Sequence, residues 1–99
     1  MASRREKHRL GPPKGISANG AAFWRDITGS FALNEETREL LRLAVEALSR
    51  AETARRLIAR DGLVFRAKSG RLEPHPAARL LKEAEDTFLR AVRSMGLER

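Results

Sequence analysis

Apolar residues recur at helical spacing in three stretches of the chain, and between the second and third the period drops to two. Phe23, Trp24, Ile27 and Phe31 share one face of a short helix, with Arg25 and Asp26 turned away. Ser17 stands just before it, where its hydroxyl can accept from the free N–H groups of a helix starting at Ala18. Gly29-Ser30 should end that helix. A second stretch runs from Glu35 to Arg60, opened by Asn34 as N-cap and by two glutamates where the helix dipole favours negative charge. Gly62 is expected to close it in a left-handed conformation, with Leu63 folded back on Ile58.

The alternating segment follows. Leu63-Val64-Phe65-Arg66 is short and β-prone, Lys68-Ser69-Gly70 is a turn, Arg71-Leu72-Glu73 returns, and Pro74 ends the pairing. Pro76 suits the first position of a third helix, which makes His75 its N-cap. Leu80, Leu81, Ala84, Phe88, Ala91, Val92 and Met95 form one broad stripe, and Gly96 closes the helix with Leu97 against Val92. The expected fold is mainly α: a short helix, a long helix, a small β-hairpin and a C-terminal helix.

The long helix carries more apolar surface than one neighbour can cover. Its Leu, Ile, Val and Ala residues sweep an arc of roughly 240°, against the roughly 100° stripe of an ordinary surface helix. At 1.5 Å per residue it is about 39 Å long. Alanines at 44, 47, 51 and 54 would let another backbone approach closely. The arc implies contact with the chain's own helices on one side and a second subunit on the other, through Leu40, Leu43, Ala47, Ala51, Ala54, Arg55 and Leu57. A monomer whose first and third helices share the coverage is the other solution. Arg55 lies inside the apolar arc, so it should snorkel from the core or bridge to an acidic group across the subunit interface. Glu46 with Arg50 and Glu52 with Arg56 are spaced as i,i+4 pairs that would neutralise a solvated face.

Charge adds a partner. The 99 residues carry a net charge of +7, and excess of that sign points to a polyanion, nucleic acid first. Arg4, Arg5, Lys7, Arg9 and Lys14 stand against Glu6 alone in the first 15 residues, a net of +4. Gly11-Pro12-Pro13-Lys14-Gly15 forbids regular structure there, so residues 1–16 read as a disordered basic arm and 17–99 as the helical domain. Arg66, Lys68 and Arg71 make a second basic cluster at the hairpin, able to touch phosphate or simply to solvate a turn.

Catalysis finds no support. There is no cysteine, no Gly-rich phosphate loop, no H-E-x-x-H and no nucleophile elbow. His75 has no ligating neighbour beyond His8 of the arm, so capping explains it better than metal binding or base chemistry. No cofactor is implied. No apolar run spans a bilayer, and the N-terminus lacks the apolar core of a signal peptide. That is the pattern of a soluble protein.

The order of these signals resembles a known family. A basic Gly/Pro arm, Ser17 before a Trp-containing helix, a long helix ending Asp61-Gly62, a Gly-turn hairpin, His75-Pro76-Ala77 and a helix ending Met95-Gly96-Leu97 is similar to the small terminase subunits of HK97-like tailed phages. The likeness covers residues 14–97. It implies a non-catalytic, ring-forming helical subunit in the host cytoplasm that binds double-stranded viral DNA and delivers it to the large terminase subunit. The competing reading is a small dimeric transcriptional regulator, which would want a more compact helix-turn-helix than residues 17–61 offer.

Overall fold

The computed structural model describes residues 11–97. Along the chain run α1 (Ala18–Ser30), α2 (Glu35–Asp61), β1 (Val64–Arg66), β2 (Leu72–Pro74) and α3 (Pro76–Met95). The molecule is elongated, 64 by 24 by 18 Å, and α3 folds back antiparallel along α2, whose 27 residues span about 40 Å of that length.

Each helix starts where a side chain satisfies its free amides. Ser17 Oγ accepts from Gly20 N at 3.0 Å, Asn34 Oδ1 from Thr37 N at 2.8 Å, and His75 Nδ1 from Ala77 N at 2.9 Å. Pro76 follows His75 at the first helical position. Gly96 ends α3 at φ 60°, ψ 32°, the left-handed cap expected of it. Gly62 differs from expectation. Its φ of 90° is positive, but ψ of 154° sends the backbone straight into β1. Leu63 stays exposed.

The helices pack through two kinds of side chain. Along the seam between α2 and α3, Ala44, Ala47, Ala51 and Ala54 on one helix and Ala77, Ala84 and Ala91 on the other are all buried. The α3 alanines recur every seven residues and those of α2 alternate steps of three and four, the spacing of a coiled-coil seam. Methyl-sized contacts let the two backbones come close. On the flank of this pair sits α1, which buries Trp24 and Ile27 against Leu41, Val45 and Met95. Phe23 packs against Phe88 in a tilted arrangement, with centroids 5.5 Å apart and an interplanar angle of 59°. Gly20 is buried where α1 meets α2; a β-carbon there would lie 3.2 Å from Ser49 Oγ. Ser49 Oγ in turn accepts from Ser17 N at 2.8 Å and donates to Val45 O at 2.9 Å. Trp24 is a core anchor with Phe23 and Phe31 packed partly buried against its cluster, as their spacing with Ile27 implied.

The wide apolar arc of α2 is thus largely covered by the chain's own α1 and α3. Three charge expectations also change. Arg55 is exposed and its Nη2 donates to Glu85 Oε2 of its own α3 at 2.7 Å, so the bridge lies within the subunit. Glu46 pairs with Arg42 at 2.9 Å rather than with Arg50, because Arg42 sits between Glu39 and Glu46 and binds both. Arg56 donates to Thr53 at 3.2 Å rather than pairing with Glu52.

Candidate nucleic-acid interface at the hairpin end

The antiparallel helix pair brings the last turns of α2, the hairpin and the first turns of α3 to one end of the rod. A clasp at the hairpin base holds them together. His75 N donates to Leu63 O at 2.7 Å, and the imidazole spans the gap between the helices. Its Nδ1 accepts from Ala77 N, so Nε2 must carry the proton that it donates to Asp61 Oδ2 at 2.9 Å. Asp61 also accepts from Arg60 at 2.6 and 2.9 Å. Those bonds, Arg60 first and His75 second, hold the Asp61 carboxyl well below the usual carboxylate range. His75 works here as a cap and a strut.

β1 and β2 pair antiparallel with Val64 opposite Pro74, Phe65 opposite Glu73 and Arg66 opposite Leu72. Pro74 thus closes the ladder as its last member rather than stopping it one residue earlier. The turn closes with Gly70 N donating to Ala67 O at 2.9 Å, and Gly70 takes φ 89°, a conformation that suits glycine. Opposed residues share a sheet face. Val64, Arg66, Leu72 and Pro74 therefore make one face, and Phe65 and Glu73 belong to the other. Ala67 N donates to Arg71 O at 2.8 Å, which extends the pairing and sets Arg71 on the Phe65 face.

The structure consequently splits the hairpin cations. Arg66 lies on the Val64 face, and its Nη1 donates to Gly70 O at 2.6 Å, bracing the turn. Lys68 in the turn and Arg71 on the far face are exposed and make no ion pair among the described residues. Residues 50–85 hold nine basic and five acidic side chains, a net of +4. The rest of the described chain, 11–49 and 86–97, holds six of each. All the positive excess of the described residues therefore sits at the hairpin half. Within it Arg55, Arg60 and Arg79 are held by Glu85, Asp61 and Glu83. Arg50, Arg56 and Lys82 are exposed and without an ion pair among the described residues, and they extend the basic surface beyond the hairpin. These three were missed by reading the sequence, because only the antiparallel return of α3 brings 79–82 beside 50–60.

Arg4, Arg5, Lys7 and Arg9 lie outside the described residues. Lys14 is exposed and lines a trough of about 690 Å³ between α2 and α3 together with Arg50, Leu57 and Leu80. Of the residues expected to meet a second subunit, Ala47, Ala51 and Ala54 are buried inside the chain, Leu40 and Leu57 are half-buried, and Leu43 is 40 % exposed. Among the described residues no group of three or more His, Asp or Glu is placed to hold a metal ion. No helix among the described residues is long and apolar enough to cross a membrane.

These features define a class: a helical-hairpin module with a cationic β-tipped end. Comparison with known families refines it. The chain belongs to the phage terminase small-subunit family, whose profile matches residues 21–98. The match takes in nearly all of α1, the whole of α2, the hairpin and α3, and leaves the arm outside. Searches of curated proteins and of solved structures found no match. Membership ties the chain to the packaging of phage genomes.

Proposed function

We propose that this subunit is a non-catalytic, oligomeric adaptor that gathers double-stranded viral DNA and brings it to the large terminase subunit. The observation that carries the DNA part is the one-sided charge: the excess of +4 over residues 50–85 lies at the end where Lys68 and Arg71 make no ion pair among the described residues. Phosphate contacts of this kind are independent of sequence and are released by salt. The arm residues Arg4, Arg5, Lys7, Arg9 and Lys14 add a second set of contacts, on a segment joined to the body beside α1. Arg66, tied to the turn, keeps Lys68 and Arg71 presented rather than leading the contact itself. Repetition of a weak site around an assembly multiplies affinity through effective concentration.

The test is DNA binding across a salt series. Replacing Lys68 and Arg71 with Ala should reduce the slope of log K against log salt by about 0.9 per lost phosphate contact. Removing residues 1–15 should flatten the slope further. Binding of duplex DNA with the same slope in all three proteins would refute the assignment.

A further inference from the structure

We infer that the outward face of the hairpin is an interface to a second copy of this chain, seated on the acidic N-terminal half of that copy's α2. The inference rests on the assembly part of the proposed function, not on its DNA part.

The hairpin face formed by Val64, Leu72 and Pro74 is the anomaly. An antiparallel ribbon with one side in water should be polar on that side. Here Val64 is 54 % and Leu72 64 % exposed, and Arg66 is the only charge between them. A two-stranded ribbon is marginal on its own in water, and this one is attached to the helices at its base through His75. Five of the seven large exposed apolar residues among those described fall between Leu63 and Leu80, so the uncovered surface is concentrated at this end.

Charge selects the occupant. Of the hairpin's charges only Arg66 lies on the Val64 face, since Arg71 and Glu73 belong to the other face and Lys68 to the turn. Two such hairpins face to face would set Arg66 against Arg66, and like charges across an interface are disfavoured. DNA would meet apolar Val64 and Leu72 with phosphate. Residues 1–10 are basic themselves, with a net of +3. The complementary surface is on α2 at the opposite end of the rod. Residues 35–46 carry four glutamates against Arg38 and Arg42, a net of −2. Glu36, Glu39 and Leu43 stand on one flank of the helix at i, i+3 and i+7. Leu43, 40 % exposed, is the large apolar residue of α2 left uncovered by α1 and α3. An apolar face marked by Arg66 thus matches an acidic flank centred on Leu43, and the two lie far apart on the same chain. Each copy can use both at once. Such a contact is heterologous and repeats from copy to copy, the kind that closes into a ring or runs on as a filament.

A complementation experiment tests it. The subunit, Val64→Ser/Leu72→Ser and Leu43→Lys are each weighed by light scattering, with helical circular dichroism showing that all three are folded. The unaltered protein should be an oligomer and each variant a monomer of 11.1 kDa. Mixed in equal amounts, the two variants should form a dimer of twice that mass and stop there, since each still has one intact face. If the unaltered protein is itself a monomer, the assembly reading fails and this inference with it. If the unaltered protein assembles and either variant keeps its full mass, assembly stands and this interface is wrong. Two monomeric variants that fail to combine would overturn the pairing of these two faces.

Discussion

In the helical body, alanine seams and a capping aromatic helix leave little apolar surface uncovered: Leu41, Ala44, Val45 and Ala47 are fully buried. At the hairpin end the same chain leaves Leu63, Val64 and Leu72 more than half exposed. The body buries most of its apolar residues within one subunit, Leu43, Leu80 and Leu89 apart, whereas the hairpin presents Leu63, Val64 and Leu72 outward beside Lys68 and Arg71. Stability should therefore reside in the body, and interaction at the hairpin.

That contrast can be broken most directly at Trp24. Removing its buried ring with Trp24→Ala should cost about 3–5 kcal/mol, a large share of the stability of so small a domain. Denaturant unfolding measures it, and a loss below 1 kcal/mol would mean that α1 is not part of the core. Next comes the seam. Ala51→Leu inserts bulk where Ala51 is 2 % exposed, and overpacking should cost about 1–3 kcal/mol. An unchanged midpoint would show the helices to be farther apart than described. Asn34→Ala, which strips the cap of α2, should cost about 0.5–2 kcal/mol. A cap that contributes nothing would appear as an unfolding curve superimposed on that of the parent.

The clasp predicts a pH dependence. Asp61 titrates lower in the folded chain than in the unfolded one. Its contribution is therefore complete above the ordinary carboxylate pKa of about 3.9 and disappears as pH falls through the lower folded value. In Asp61→Asn the acid limb of the stability curve should be shallower below pH about 4, with little change in slope above it. An acid limb as steep as the parent's would remove Asp61 from the account. At the small end of the scale, Leu72→Ser should shift subunit stability by no more than about 0.5 kcal/mol, as for other exposed positions. A loss comparable to that of Ala51→Leu would erase the distinction between the two regions.

Much of this was legible beforehand. Ser17, Asn34 and His75 announce helix starts because a side-chain acceptor followed by a periodic run is a local signal. Lys68-Ser69-Gly70 announces the turn for the same reason. The alanine seam was legible only in part. Close approach by a second backbone follows from Ala44, Ala47, Ala51 and Ala54, but nothing local says whose backbone arrives. The matching heptad at Ala77, Ala84 and Ala91 was the available sign that it is the chain's own α3. Leu80 was grouped with the α3 stripe, and it is exposed beside the trough because a stripe that wide outruns the face α2 can cover. Ion pairs were the least legible, since Arg42 has acidic neighbours both three residues before and four after, and spacing alone does not rank them.

The sequence by itself determined where each helix starts and stops, that the hairpin turns at Gly70, that His75 is a cap, and that the chain carries excess positive charge. These follow from interactions among residues a few positions apart. Tertiary structure alone decided which alanines meet, that Arg55 finds Glu85 thirty residues away, that Arg66 and Arg71 part to opposite sheet faces, and that cations from α2, the hairpin and α3 collect at one end. Those outcomes depend on the direction in which α3 returns along α2, and no short window of sequence encodes that direction.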